Sequence, residues 1–339
     1  MTPKERLYAA ARRHPTERPP CICPGGMMNM MFREIMEASG WRWPEAHMDA
    51  HQMAGLAIAL NKAGGFENYG VPFCMTVEAE AMGAEVNMGD LLAEPHITDY
   101  LLAGVDGWTQ LNSLDLNRGR VKTVLQAIAL LKQQNDGVPI IANITGPVSV
   151  VGSLVDISTL LKAFRKNPKA SSIFMDSIAG NLIAYGKAQL AAGADAVCLS
   201  EPSGTGEILG PKFFREYSVK YINQIMDALQ PPLAMVHICG NLHSVYDLLP
   251  ELHCDIFSFD SLVPIADIKA AVPEKAVMGN VNTHALGTSS PKKIAQLVRS
   301  CHRKGADIIA PACGLPTTTP LVNVQAMVAA AQDVKNING

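Results

Sequence analysis

Charge and aromatic side chains are both scarce in this chain. Of 339 residues, 17% are charged and 6% are aromatic; 28 Lys and Arg against 31 Asp and Glu leave a formal charge of −3. A near-balanced chain lacks the basic face that nucleic acid requires, and few rings are left on which bases could stack. With 48% apolar residues the chain has material for a large core, which excludes a disordered protein. A lipid-spanning run is not expected either. The uncharged stretch from Gly137 to Val155 is interrupted by Asn143, Thr145, Pro139 and Pro147, and reads as a buried strand, a turn and a helix start. The opening MTPKERLYAAARR has no apolar core of a signal peptide. Eight cysteines without such a signal point to a reducing, cytoplasmic setting in which thiols stay free for metal or redox chemistry. Neither G-x-G-x-x-G after a strand nor G-x-x-x-x-G-K-[ST] occurs, which weakens nucleotide-binding readings.

Present instead is a regular alternation of short apolar runs and helical patterns. Thr2-Pro3-Lys4-Glu5 forms a capping box with proline at the first helical position, so an N-terminal helix is expected. Strand-like runs fall at 19–24, 71–77, 138–144, 196–200, 233–239, 256–259, 276–281 and 308–311. They are continuously apolar rather than alternating, as parallel strands buried on both faces should be. Helical patterns lie at 29–38, 45–62, 118–134, 154–164, 170–192, 211–229, 265–272 and 291–304. Ser290-Pro291 and Thr319-Pro320 each place a capping hydroxyl before a proline. Residues 84–117 are irregular and read as an insertion after the second strand. Eight strand–helix units predict an α/β (β/α)8 TIM barrel, with an N-terminal helical extension, forming a single domain over 1–339. The alternative is an open doubly wound sheet.

A TIM barrel gathers its chemistry at the C-terminal ends of its strands. One strand ends in His237-Ile238-Cys239-Gly240, and residues two apart on a strand share a face. The last strand ends in Pro311-Ala312-Cys313-Gly314. His237, Cys239 and Cys313 thus form a candidate set of one imidazole and two thiolates, which suits zinc. Three protein ligands leave a fourth position open, as catalytic zinc requires. Asp260, at another strand end, is a candidate for that position in the absence of substrate, or alternatively a helix cap. Taken alone, H-x-C on a buried strand also reads as core packing. Cys21-Ile22-Cys23 is a rival thiolate pair or a pair of buried small hydrophobes. Met27, Met28, Met30 and Met31 read as a core helix, or as the soft lining of a pocket for a flat cofactor, with Met27 and Met28 the cofactor-facing candidates. Asn280 and His284, after another strand, are placed for polar ligand contact. Glu78, Glu80 and Glu201 are each an acid/base candidate or a solvated charge. Cys198, Cys254 and Cys301 read as structural, and His243 as a surface residue.

The runs at His237–Gly240, Gly279-Asn280, Ala310–Gly314 and Thr319-Pro320-Leu321 resemble the uroporphyrinogen-decarboxylase-like superfamily. Within it the chain looks like the methylcobamide:coenzyme M methyltransferase branch, with Trp43–His47, Glu80–Gly83 and Asn87-Met88-Gly89 in support. The resemblance covers nearly the whole chain. It implies a TIM barrel, a zinc ion on the residues matching His237, Cys239 and Cys313, and methyl transfer from a methylated corrinoid protein to a small thiol such as coenzyme M. The corrinoid would be carried by that partner protein.

True decarboxylases of the superfamily carry arginines after the first strand. Here Pro24-Gly25-Gly26-Met27-Met28-Asn29 has none, and Cys74 stands where their central aspartate is expected, so porphyrinogen decarboxylation is disfavoured. The competing functions are the opposite half-reaction, from a methoxy-aromatic, halomethane or amine donor to the corrinoid protein; a non-catalytic zinc- or tetrapyrrole-binding barrel; and a zinc hydrolase. A thiolate-rich donor set counts against the last.

Overall fold

A computed structural model describes residues 1–334 of the chain. Eight short strands are present: β1 (Tyr69–Val71), β2 (Val86–Asn87), β3 (His96–Ile97), β4 (Ile140–Thr145), β5 (Ala196–Ser200), β6 (Ala234–Ile238), β7 (Ile256–Phe259) and β8 (Ala276–Met278). Six of them form one parallel sheet in the order β1-β4-β5-β6-β7-β8, while β2 and β3 pair separately as an antiparallel hairpin. Helices connect successive sheet strands, so the units are β/α; the six sheet strands and two bridged segments near Cys21 and Ile309 make up the eight positions of a (β/α)8 barrel. Every residue of β4, β5 and β7 is buried, as the continuous apolar runs require.

Two barrel positions are held by single bridges rather than regular strands. Met278 bridges Ile308, Val281 bridges Pro311, and Ile309 bridges Cys21, all in parallel. The ring continues from Cys21 to β1 through Glu67 N–H donating to the Cys21 carbonyl at 2.9 Å. Prolines explain the interruption: Pro19, Pro20, Pro24 and Pro311 have no N–H to give to a ladder. Side chains serve instead. Glu67 Oε2 accepts from Cys21 N–H and Asn68 Oδ1 accepts from Cys23 N–H, both at 2.9 Å. The expected strand over 71–77 is displaced for a similar reason: β1 ends at Val71, Pro72 follows, and a helix begins at Val77.

The N-terminal helix Pro3–Ala11 carries the full Thr2/Glu5 capping box. Ser290 caps the helix Pro291–Arg303 as expected. Thr319 does not cap the helix Leu321–Asp333; the Leu321 N–H is taken by Glu34 Oε1 at 3.0 Å. The methionine run is not helical, since the helix there begins only at Arg33. The insertion after β1 contains the β2–β3 hairpin and a 3₁₀ turn at Val105–Gln110. Among the described residues no helix is long and apolar enough to cross a membrane.

Candidate metal centre

β6 delivers His237 at its C-terminal end, fully buried, with Cys239 two residues on. His237 Nε2 lies 3.1 Å from Cys239 Sγ, which in turn lies 3.1 Å from Cys313 Sγ. The three potential ligand atoms all fall within 4.8 Å of one another. Cys313 reaches this point because its segment closes the barrel beside β8 and Cys21. In the register of β6 and β7, His237 stands opposite Ser258. His237 Nδ1 and Ser258 Oγ are 2.9 Å apart. With the ring proton on Nδ1 the serine oxygen accepts it, and Nε2 keeps its lone pair for a metal on the side of the sulfurs.

The two sulfurs share a proton that either can donate, so the pair releases its first proton more readily than an isolated thiol and its second less readily. The cluster therefore offers two coupled sulfurs beside a buried imidazole. Such a donor set fits a soft divalent ion, and zinc in particular.

The other predicted residues are distributed around this core. Asp260 Oδ2 accepts from Gly240 N–H at 3.4 Å, and its Oδ1 from Leu262 N–H at 3.0 Å, so the carboxylate borders the cluster while fastening two strand-end loops. Asn280 gives its side-chain N–H groups to the carbonyls of Asp260 and Val263, both at 2.9 Å, and thereby supports the loop after β7. His284 is exposed on the helix Thr283–Thr288 and has no side-chain contact with the cluster. Met28 Sδ lies 3.9 Å from Ser258 Oγ, directly behind His237. Met27 is half-buried, and its carbonyl faces Gly314, the residue after Cys313.

The rival thiols are engaged elsewhere. Cys21 and Cys23 are fully buried, which pushes both thiols up, and Cys23 Sγ donates to the Met28 carbonyl at 3.2 Å. Cys74 takes a hydrogen bond from Arg120 at 3.2 Å, while the same guanidinium pairs with Glu80 at 2.6 Å and Thr76 Oγ1 at 2.8 Å. Glu78 is buried against Thr145, accepting from its N–H and hydroxyl. Glu201 is buried at the start of the helix Pro147–Leu154, accepting from the N–H groups of Val148 and Ser149. Ser258 and Glu94 belong to this region but carry no sequence motif. Ser258 is an ordinary strand residue in FSF, and Glu94 sits in the irregular insertion.

Comparison with known proteins places this geometry in a family. A model of the uroporphyrinogen decarboxylase (URO-D) family matches residues 2–334. The chain belongs to the uroporphyrinogen decarboxylase family. Among curated relatives, a methylcobamide:CoM methyltransferase of Methanosarcina acetivorans is 32% identical over 338 residues, with 98% of each chain covered. A methylcobamide:CoM methyltransferase of Methanosarcina barkeri is 30% identical at the same coverage. A solved methyltransferase from Methanosarcina mazei superposes with a TM-score of 0.91 at 28% identity, covering 98% of this chain and 99% of its own. All three of these relatives are methyltransferases by name, although the family takes its name from a decarboxylase.

Proposed function

We propose that this chain is a zinc-dependent methyltransferase that moves a methyl group from a methylated corrinoid protein to a small thiol. His237, Cys239 and Cys313 serve as the zinc ligands in this reading. The observation that carries it is the convergence of one imidazole nitrogen and two sulfurs within 4.8 Å at the C-terminal end of the barrel. Names of full-length relatives support the reaction class.

Bound zinc would acidify an incoming thiol, so that it arrives at the methyl group as a strong nucleophile at neutral pH. The protein's own residues perform the remaining tasks. Ser258 fixes the ring of His237, and Cys239 and Cys313 share a proton that a bound metal would displace. Asp260 lies outside the three-ligand group, fastened by the Gly240 and Leu262 N–H groups, and would have to turn toward the metal to serve as a fourth ligand before the thiol arrives. In the transfer a sulfur–carbon bond forms from a sulfur lone pair as the cobalt–carbon bond breaks. Both electrons of that bond remain on cobalt, taking it from Co(III) to Co(I), and the thiol proton leaves to solvent. The barrel contributes position and thiol activation, and the corrinoid contributes the labile bond.

The test combines metal analysis with turnover. The purified protein is expected to hold one zinc and, given a methylated corrinoid protein and a thiol panel, to yield the thioether with loss of the methyl-cobalt absorbance. Full zinc with no thioether from any thiol overturns the reading. Methylation of the demethylated corrinoid protein by a methoxy-aromatic, halomethane or methylamine donor, with no thiol reaction, reassigns the chain to the opposite half-reaction.

A further inference from the structure

Cys239 and Cys313 are 74 residues apart in the chain, yet their sulfurs meet at 3.1 Å. That separation lies between two chemical end points. Two thiolates on one tetrahedral zinc stand roughly 3.8 Å apart, which follows from zinc–sulfur distances of about 2.3 Å. The sulfurs of a disulfide stand about 2.05 Å apart. This pair must open by roughly 0.7 Å for the first and close by roughly 1 Å for the second. Small rotations about the two Cα–Cβ bonds achieve either movement.

The other six cysteines are placed differently. Cys21, Cys23, Cys74, Cys198 and Cys301 are buried, and Cys254 alone shares the half-buried state of Cys239 and Cys313. The sulfurs of Cys23, Cys74 and Cys198 face the Met28 carbonyl, the Arg120 guanidinium and the Ser200 hydroxyl. Among the described residues, Cys239 and Cys313 are the one pair that combines partial exposure with a second sulfur in hydrogen-bond contact. Exposure and a neighbouring thiol that can resolve a first oxidation product are what reversible thiol oxidation needs.

Resting on the zinc-ligand reading, we propose that Cys239 and Cys313 are also a reversible oxidation site: a peroxide joins them in a disulfide, and the joined pair cannot hold the metal. One sulfur attacks a peroxide oxygen and the O–O bond breaks. A sulfenic acid forms, and the thiol proton leaves with the other oxygen as water. The second sulfur then attacks the first, the S–O bond breaks, and the hydroxyl leaves with the second thiol proton as another water. The two electrons given up by the sulfurs reduce hydrogen peroxide. Zinc takes thiolates as ligands, so this one bond removes two of the three donors together. A dithiol reductant restores them by exchange.

The test treats zinc-free protein with one equivalent of hydrogen peroxide and maps the products by peptide mass spectrometry. A cross-link between Cys239 and Cys313 is expected, with loss of two titratable thiols and of zinc binding, all restored by dithiothreitol. Cys239→Ser and Cys313→Ser should each lack the cross-link, and Cys254→Ser should keep it. Zinc-loaded protein should form it about tenfold more slowly and release one zinc per disulfide. A sulfinic acid on either cysteine in place of the cross-link, or a cross-link through other cysteines, overturns the inference; if zinc still slows alkylation of both Cys239 and Cys313, the ligand reading survives. A Cys239–Cys313 cross-link in protein that keeps its full zinc affinity overturns the ligand reading, and the exclusion of metal with it.

Discussion

His237 Nδ1 and Ser258 Oγ are 2.9 Å apart across the β6–β7 pairing, both fully buried. Ser258 Oγ also lies 3.9 Å from Met28 Sδ, so the hydroxyl has a second neighbour once it accepts from the imidazole. Partners of this kind set the tautomer and angle of a ligating histidine. Ser258→Ala is expected to weaken zinc binding by roughly 10–100-fold while leaving the fold intact. Competition with a chromophoric chelator, alongside circular dichroism, checks this; unchanged zinc affinity would mean that packing alone orients His237.

The two sulfurs are expected to be indispensable in different degrees from their neighbours. Cys239→Ala or Cys313→Ala should remove zinc and abolish methyl transfer with the barrel still folded. Elemental analysis after gel filtration, paired with thermal unfolding, is the measurement. Retention of stoichiometric zinc and the full rate by either variant removes that cysteine from the ligand set.

Asp260 is a finer case, because its carboxylate already accepts from Gly240 and Leu262 N–H groups. Asp260→Ala is expected to lower zinc affinity in the thiol-free protein and to have a smaller effect once thiol occupies the open position. Comparing chelator competition with and without saturating thiol checks this. Equal affinity of wild type and variant without thiol removes Asp260 from that place.

The architecture was legible where the pattern is local. Continuous apolar runs marked β4, β5, β6 and β7, and the two-residue period put His237 and Cys239 on one face. Prolines blurred the segments around residues 21 and 311, because a strand position that lacks N–H donors is completed by side chains such as Glu67 and Asn68. The methionine run had helical spacing, yet Gly25 and Gly26 take positive φ and turn the chain there. Glu201 was ambiguous in sequence because its partners, Val148 and Ser149, lie more than fifty residues away. Ser258 was invisible for the same reason: only strand register sets it opposite His237.

Gly314, the residue after Cys313, has a steric role. A Cβ placed there would come within 2.5 Å of the Met27 carbonyl oxygen, which is backbone and cannot swing aside. The two segments are also clamped together. Leu315 N–H donates to the Asn29 carbonyl at 2.9 Å, and Asn29 Nδ2 donates to the Leu315 carbonyl at 2.8 Å. Gly314→Ala must therefore strain the chain beside Cys313. A stability loss of about 1–3 kcal/mol is expected, with weakened zinc binding. Urea unfolding and metal titration of the variant check both; a variant as stable as wild type with normal affinity would show that the clamp yields.

Glu201 links burial to pH. Its carboxylate is fully buried, with the N–H groups of Val148 and Ser149 at 2.9 Å and that of Gly204 at 3.0 Å, besides the Ser149 hydroxyl. Burial outweighs these donors and raises its pKa from 4.5 to about 7. The folded protein then holds this proton more tightly than the unfolded chain does. The resulting stability is fully present below pH 4.5, declines as pH rises through 7 and is flat above. Glu201→Gln has no such titration, although it loses hydrogen bonds at every pH. Relative to wild type, the variant should gain about 3 kcal/mol between pH 4.5 and pH 8. Urea unfolding across that range measures the gap. A gap that does not change with pH would mean that the four donors keep Glu201 ionised throughout, with the helix start at Pro147 favouring the anion over the effect of burial.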